Sequence, residues 1–193
     1  MKPAVVKLIT PLCRLLLKAK VTPDMMTIFG TLIVVTGSFT LLANGKFLAS
    51  LIIIGLALLT DLLDGTMARI SERGASTWGN FLDSTLDRIA DGAILLGLSI
   101  YLYRQHDGLV IAAMITIPLS ALVPYARAKA ESLNIECKGG FAERTERLIL
   151  LGIAGVAHMA GISWALDAGV WILLILAAIT VLQRMKIVWR ATR

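Results

Sequence analysis

Residues 61–91 read DLLDGTMARISERGASTWGNFLDSTLDRIAD, and five of these 31 positions are aspartates. Asp61 and Asp64 stand three residues apart, so on a helix they share a face. Asp83, Asp87 and Asp91 follow at successive intervals of four and form a second acidic stripe. Only a short loop around Glu72 to Thr77 separates the two groups, so their helices run antiparallel and the acidic faces can meet. The surrounding sequence is apolar. A carboxylate inside a bilayer costs roughly 2.5–3.5 kcal/mol even on a lenient insertion scale. Arg69 and Arg88 are the cations nearest in sequence, and Arg88 is read as facing away from its neighbour Asp87. One or two divalent cations would supply the missing positive charge. Several hard oxygen donors without Cys or His favour Mg2+ or Mn2+ over Zn2+.

Outward from this stretch, apolar spans are expected near 25–43, 47–70, 79–103, 108–130, 147–165 and 169–189. The 193 residues are 57% hydrophobic with mean hydropathy +0.79, above the 45–50% usual for a soluble domain. The N-terminal segment mixes Val6, Ile9, Leu12, Leu16 and Leu17 with Lys7, Arg14 and Lys18, and Pro11 is expected to kink it. It reads as an amphipathic helix in the membrane interface. It carries five cations and no legible secretory cleavage site. Sixteen of the nineteen Lys and Arg fall on one side of a six-span layout, against Lys46 and Arg104 on the other, with Arg88 inside a span. That asymmetry puts both termini in the cytoplasm.

The expectation is an all-α, polytopic membrane protein with six transmembrane helices preceded by an amphipathic interfacial helix. It forms one domain over 1–193, with residues 2–20 as the juxtamembrane helix and 25–189 as the bundle. Cys13 and Cys137 form no CxxC pair and read as free thiols. His106 and His158 are isolated and stay outside the site. Gly65, Ala68 and Gly79 fall on the acidic face, where small residues would let a bulky ligand approach. Helix packing by small residues is the competing reading. Asp61 lies about 12 Å of helix from Arg69, so the site sits inside the membrane near the cytoplasmic end. That position suits an enzyme joining a lipid to a soluble compound.

Asp61, Asp64-Gly65, Ala68-Arg69, then Gly79, Asp83 and Asp87 after nine intervening residues resemble the signature of the CDP-alcohol phosphotransferase family at all eight defining positions. The resemblance implies two metal ions, Mg2+ or Mn2+, per site. It implies Asp61, Asp64 and Asp83 as ligands of one, Asp61, Asp83 and Asp87 as ligands of the other, and Asp87 as general base. Gly65, Ala68, Arg69, Ser76 and Gly79 would face the CDP-linked donor. Thr22-Pro23-Asp24-Met-Met-Thr27 resembles the family segment before the first span and implies nucleotide contacts from Asp24 and Thr27. Pro23-Asp24 also reads as a capped helix start. Asp91 falls outside the signature, and a role in tuning Asp87 or pairing with Arg88 is expected of it.

Cations at the end of the fourth span (Arg127, Lys129), the start of the fifth (Arg144, Arg147) and the end of the sixth (Arg184) point to a phosphate on the acceptor. The positive-inside rule alone is the competing explanation. The segments Tyr125-Ala-Arg127-Ala-Lys129-Ala-Glu131, Gly139-Gly140-Phe-Ala-Glu143-Arg144-Thr-Glu146-Arg147 and Gln183-Arg184 resemble actinobacterial phosphatidylinositol phosphate synthases. The resemblance implies CDP-diacylglycerol as donor and inositol 3-phosphate as acceptor, with Lys129, Arg144 and Arg184 on its phosphate and Arg127 and Arg147 in support. A homodimer in a bacterial cell membrane, with no nucleic-acid partner, is expected on the same ground. Two rivals remain at this point. One is a phosphatidylglycerophosphate synthase using glycerol 3-phosphate, and the other is a divalent-cation channel or transporter.

Overall fold

The structure is a computed structural model that describes residues 3–71, 74, 76–137, 140 and 143–193. Lys2, Glu72, Arg73, Lys138, Gly139, Phe141 and Ala142 lie outside the described residues, as do the side chains of Val6 and Lys7. Eight α-helices are described, and no strand occurs among the described residues: α1 (Pro3–Lys18), α2 (Pro23–Thr40), α3 (Phe47–Leu58), α4 (Thr60–Ile70), α5 (Thr77–Arg104), α6 (Leu109–Ser132), α7 (Arg144–Met159) and α8 (Ala165–Ala191).

Helix α1 continues through Pro11. It ends where Lys20 adopts a left-handed φ of 62°. There the amide of Val21 donates to the Leu16 carbonyl and that of Lys20 to the Leu17 carbonyl, which satisfies the last carbonyls of the helix. Two residues later Thr22 caps α2 by accepting from the Met25 amide at 3.2 Å, with Pro23 in the first turn. The capped start expected at Pro23-Asp24 is present, with Thr22 as the cap. This tight elbow lays α1 against α4, where Cys13 is fully buried near the Leu63 carbonyl.

The second expected span, 47–70, is interrupted. The Thr60 hydroxyl donates to the Ala57 carbonyl at 2.6 Å, and the Leu59 amide turns back to Leu56. A side-chain hydroxyl bonding the backbone in this way competes with the helix ladder, and α3 gives way to α4 at Leu59. Gly30 of α2 lies against this break, where a Cβ would collide with Thr60.

Four helical stretches are long and apolar enough to cross a membrane: Pro23–Asn44, Phe47–Ile70, Leu109–Ser132 and Ala165–Ala191. The other two expected spans fold as helices but differ for physical reasons. Helix α5 carries Asp83, Asp87, Arg88 and Asp91. Helix α7 has 16 residues, or about 24 Å against a hydrocarbon core of about 30 Å. The apolar surface points outward: Leu48, Ile52, Leu56, Ile111, Ile153 and Leu182 are all exposed, while small and hydroxyl side chains such as Ala113, Ala177, Thr116 and Thr180 are buried. In water such a surface would drive aggregation, whereas helices packed in lipid meet through small residues.

Helix α2 packs along α5, and α6 along α8. The α2–α5 approach is close enough that a Cβ on Gly97 would stand 2.6 Å from the Ser38 carbonyl oxygen. At the far end, Arg104 ties α5 to the turn after α2 through the Ala43 carbonyl at 2.9 Å and the Asn44 side chain at 2.6 Å. The opposite end gathers the starts of α2, α5 and α7 with the ends of α1 and α4 around one cavity.

Candidate active site

The cavity has a volume of about 930 Å3 and is walled by the α1–α2 elbow, one face each of α4 and α5, and the first residue of α7. Asp61, Asp64, Gly65 and Ala68 line it from α4, and Gly79, Asp83 and Asp87 from α5. Three- and four-residue spacing brings each set to one helix face, and the turn between the helices turns those faces toward each other. Asp64 is buried and accepts from the Thr27 hydroxyl at 2.7 Å. Thr27 therefore lines the cavity and also holds a carboxylate in place. Asp24 and Ser76 line it too, and Ser76 caps α5 by accepting from the Gly79 amide at 2.8 Å.

The small residues divide into two kinds. A Cβ on Gly79 would stand 3.1 Å from Ser76 Oγ and 3.3 Å from Asp24 Oδ1, so this glycine lets the first turn of α2 approach the capped start of α5. A Cβ on Gly65 would meet nothing within 4 Å, so packing does not explain Gly65. Gly65→Leu should keep or raise the thermal midpoint, since leaving glycine in a helix is worth about 0.8 kcal/mol. The same change should raise the KM of the CDP-linked donor expected from the sequence resemblance at least about tenfold by filling the cavity. A thermal melt beside donor titrations checks both signs at once.

Arg69 does not line the cavity. It is exposed, and its guanidinium reaches Thr66 Oγ1 at 3.2 Å.

Charge compensation comes from far along the chain. Nη1 of Arg144 lies 2.5 Å from Asp61 and 2.7 Å from Asp87, while its Nε lies 3.2 Å from Asp91. Arg147, buried, meets the other oxygen of Asp91 at 2.5 Å. Of the two roles expected of Asp91, tuning Asp87 or pairing with Arg88, the pairing is corrected: Asp91 anchors Arg144 and Arg147. The reading that Arg88 turns away from Asp87 is also corrected, because the two stand 3.8 Å apart. A capping box at Glu143 and Glu146 starts α7. It fixes Arg144 at the first helical position and Arg147 one turn later on the same face. The signal for these contacts in the sequence was Asp91 itself, an acidic residue in an apolar span and outside the motif.

The remaining predicted cations are distributed differently. Arg184 on α8 is buried and donates to the Val123 carbonyl on α6. Arg127 is exposed and pairs with Glu131 one turn along its own helix at 2.9 Å. Lys129 is exposed. Arg127 and Arg147 each lie close enough to Arg184 to interact with it electrostatically, whereas Arg144 faces the aspartates.

Asp61, Asp64, Asp83 and Asp87 offer only hard carboxylate oxygens, a donor set that suits Mg2+ or Mn2+. Among the described residues no three acidic, His or Cys side chains converge as ready-made ligands in this arrangement. The Arg144 guanidinium places a positive charge between Asp61 and Asp87.

The profile of the CDP-alcohol phosphatidyltransferase family matches residues 20–183. The phosphatidylinositol phosphate synthase of Mycobacterium tuberculosis is 41% identical over 194 residues, which covers 97% of this chain and 88% of that protein. The protein of the same name from Streptomyces avermitilis is 36% identical over 193 residues, covering 95% and 79%. A crystal structure of the M. tuberculosis enzyme with CDP-DAG bound matches with a TM-score of 0.89 at 39% identity, covering 95% of this chain and 94% of that one. The same enzyme in complex with manganese and citrate matches at 0.86 and 40%, covering 93% and 88%.

Proposed function

Because this chain belongs to the CDP-alcohol phosphatidyltransferase family, we propose that it transfers the phosphatidyl group of CDP-diacylglycerol to 1D-myo-inositol 3-phosphate. The products are phosphatidylinositol phosphate and CMP. Family membership makes the chain a transferase, which displaces the channel reading. The acceptor assignment is supported by the names of the relatives that match nearly the whole chain. The observation that carries the site is a single cavity in which four motif aspartates face Gly65 and Asp24.

In this reading the cytidine end of the donor enters beside Asp24 and Thr27, and its diphosphate lies over Gly65, Ala68 and Gly79. Ser76 completes that wall, and Arg69 serves the donor from outside the cavity lining. Asp87 takes the proton of the acceptor hydroxyl. The hydroxyl oxygen forms a bond to the lipid-side phosphorus, the bond from that phosphorus to the CMP oxygen breaks, and CMP leaves with the electron pair. Asp61, Asp64, Asp83 and Asp87 would hold two Mg2+ or Mn2+ ions, which when bound would offset charge on the diphosphate. Arg144, Lys129 and Arg184 receive the acceptor phosphate, with Arg127 and Arg147 in support. The chain sits in a bacterial cell membrane as six spans and an interfacial α1, with both termini cytoplasmic, and works as a homodimer.

The test is CMP release from CDP-diacylglycerol by the purified protein with inositol 3-phosphate, inositol or glycerol 3-phosphate. Turnover with inositol 3-phosphate alone is expected. Turnover with glycerol 3-phosphate alone would refute the acceptor assignment and indicate a phosphatidylglycerophosphate synthase. In the same assay, Arg144→Ala should raise the acceptor KM by more than the donor KM. Equal effects on both would assign Arg144 to the scaffold.

A further inference from the structure

Arg144 makes two sets of contacts with opposite implications. Its Nη1 bridges Asp61 and Asp87, two of the carboxylates assigned to metal, while its Nε stays on Asp91, which is not. Asp91 is itself fixed by the buried Arg147 through its second oxygen. Asp91 is thus a pivot from which the outer end of the guanidinium can leave Asp61 and Asp87 without losing its anchor.

The charges require that movement. Asp61, Asp64, Asp83 and Asp87 carry four negative charges, which two divalent cations match in full. Arg144, standing between Asp61 and Asp87, would then repel the cations rather than relieve the carboxylates. Like charges in contact repel more strongly in a partly buried site than in water. Once displaced, the outer end of Arg144 faces the cavity while its Nε stays on Asp91. An oxyanion is its natural partner.

We propose that Arg144 is an exchangeable internal counter-ion: divalent metal displaces it from Asp61 and Asp87, and Asp91, acting as a positioning residue, then holds it to receive the acceptor phosphate. Metal loading and oxyanion binding are therefore coupled, each tightening the other by the same factor. The inference rests on the metal and acceptor-phosphate sites proposed above, but it does not depend on which phosphorylated alcohol is used.

The test is Mn2+ binding to the purified protein, read by electron paramagnetic resonance without CDP-lipid or acceptor. Arg144→Met should tighten Mn2+ at least about fivefold, within the usual range of coupling between sites. Arg88→Met removes a charge 3.8 Å from Asp87 that does not bridge carboxylates, and it should change Mn2+ affinity far less. Sulfate, a tetrahedral oxyanion, should tighten Mn2+ in the unaltered protein relative to chloride at equal ionic strength, and should not do so in Arg144→Met. Asp91→Asn should weaken Mn2+ binding in the unaltered background and have a smaller effect beside Arg144→Met. Arg144→Gln repeats the series should the Met variant lose its metal-free fold, which a thermal melt detects. Unchanged or weaker Mn2+ affinity without Arg144, an equal gain from Arg88→Met, or a sulfate effect that persists without Arg144 would each overturn the exchange. An Asp91→Asn effect of the same size in both backgrounds would overturn the role of Asp91. If turnover proves to need glycerol 3-phosphate while these couplings hold, the acceptor assignment fails and the counter-ion stands.

Discussion

Asp87→Asn is expected to lower kcat by about 10²- to 10⁴-fold, the usual contribution of a positioned general base. Asn keeps the shape of the side chain and an oxygen that can still accept from Arg144, which reaches Asp87 at 2.7 Å. It has no carboxylate to take a proton. Asp87 lies on the cavity wall, within reach of a hydroxyl brought in beside the donor. Its loss should leave the helices intact, because Arg144 keeps its contacts with Asp61 and Asp91. The measurement is single-turnover CMP release, made beside Mn2+ binding on the same sample. Normal turnover with metal bound would remove Asp87 as the base. Loss of turnover together with loss of metal would assign it to metal holding alone.

The second large effect is expected from chelation. Exhaustive treatment with EDTA should abolish CMP release, and Mg2+ or Mn2+ should restore it. Among the described residues the cations paired with the aspartates of the site are Arg144, Arg147 and, at 3.8 Å, Arg88. A donor diphosphate brings more negative charge into the same cavity. At about 4 Å, each pair of unlike or like unit charges is worth about 4 kcal/mol near a protein surface, so repulsion from Asp61, Asp83 or Asp87 would exclude it. Chelation should therefore weaken binding of CDP-diacylglycerol as well as turnover, which equilibrium binding of labelled donor would report. Full turnover after verified metal removal would contradict the assignment of the four aspartates.

The legible part of the site was local. Gly65 and Ala68 fall on the cavity wall beside Asp61 and Asp64 because helical spacing fixes which residues share a face. Gly79, Asp83 and Asp87 do so for the same reason. The N-terminal cap at Thr22 and the helix start at Pro23 were legible from two adjacent residues. Arg69 differs from its motif neighbours: its side chain is exposed, lies outside the cavity lining and reaches Thr66 at 3.2 Å. The break at Leu59 was hidden because a single Thr hydroxyl in an apolar run carries no strong breaker signal, and its effect depends on Gly30 from another helix.

The sequence by itself determined the helical class, the apolar character of the surface, the pairing of two acidic faces and the membership of the four motif aspartates in one site. Each follows from composition or from spacing within about one turn, where backbone geometry leaves little freedom. Only the tertiary structure decided which cations answer those carboxylates. Arg144 and Arg147 reach Asp91 across more than fifty residues, and Thr27 reaches Asp64 across 37. Such partners are chosen by how α2, α5 and α7 pack, and close approaches at glycines such as Gly97 set that packing. Burial then makes the choice binding, because a carboxylate removed from water must take whichever donor the neighbouring helix presents.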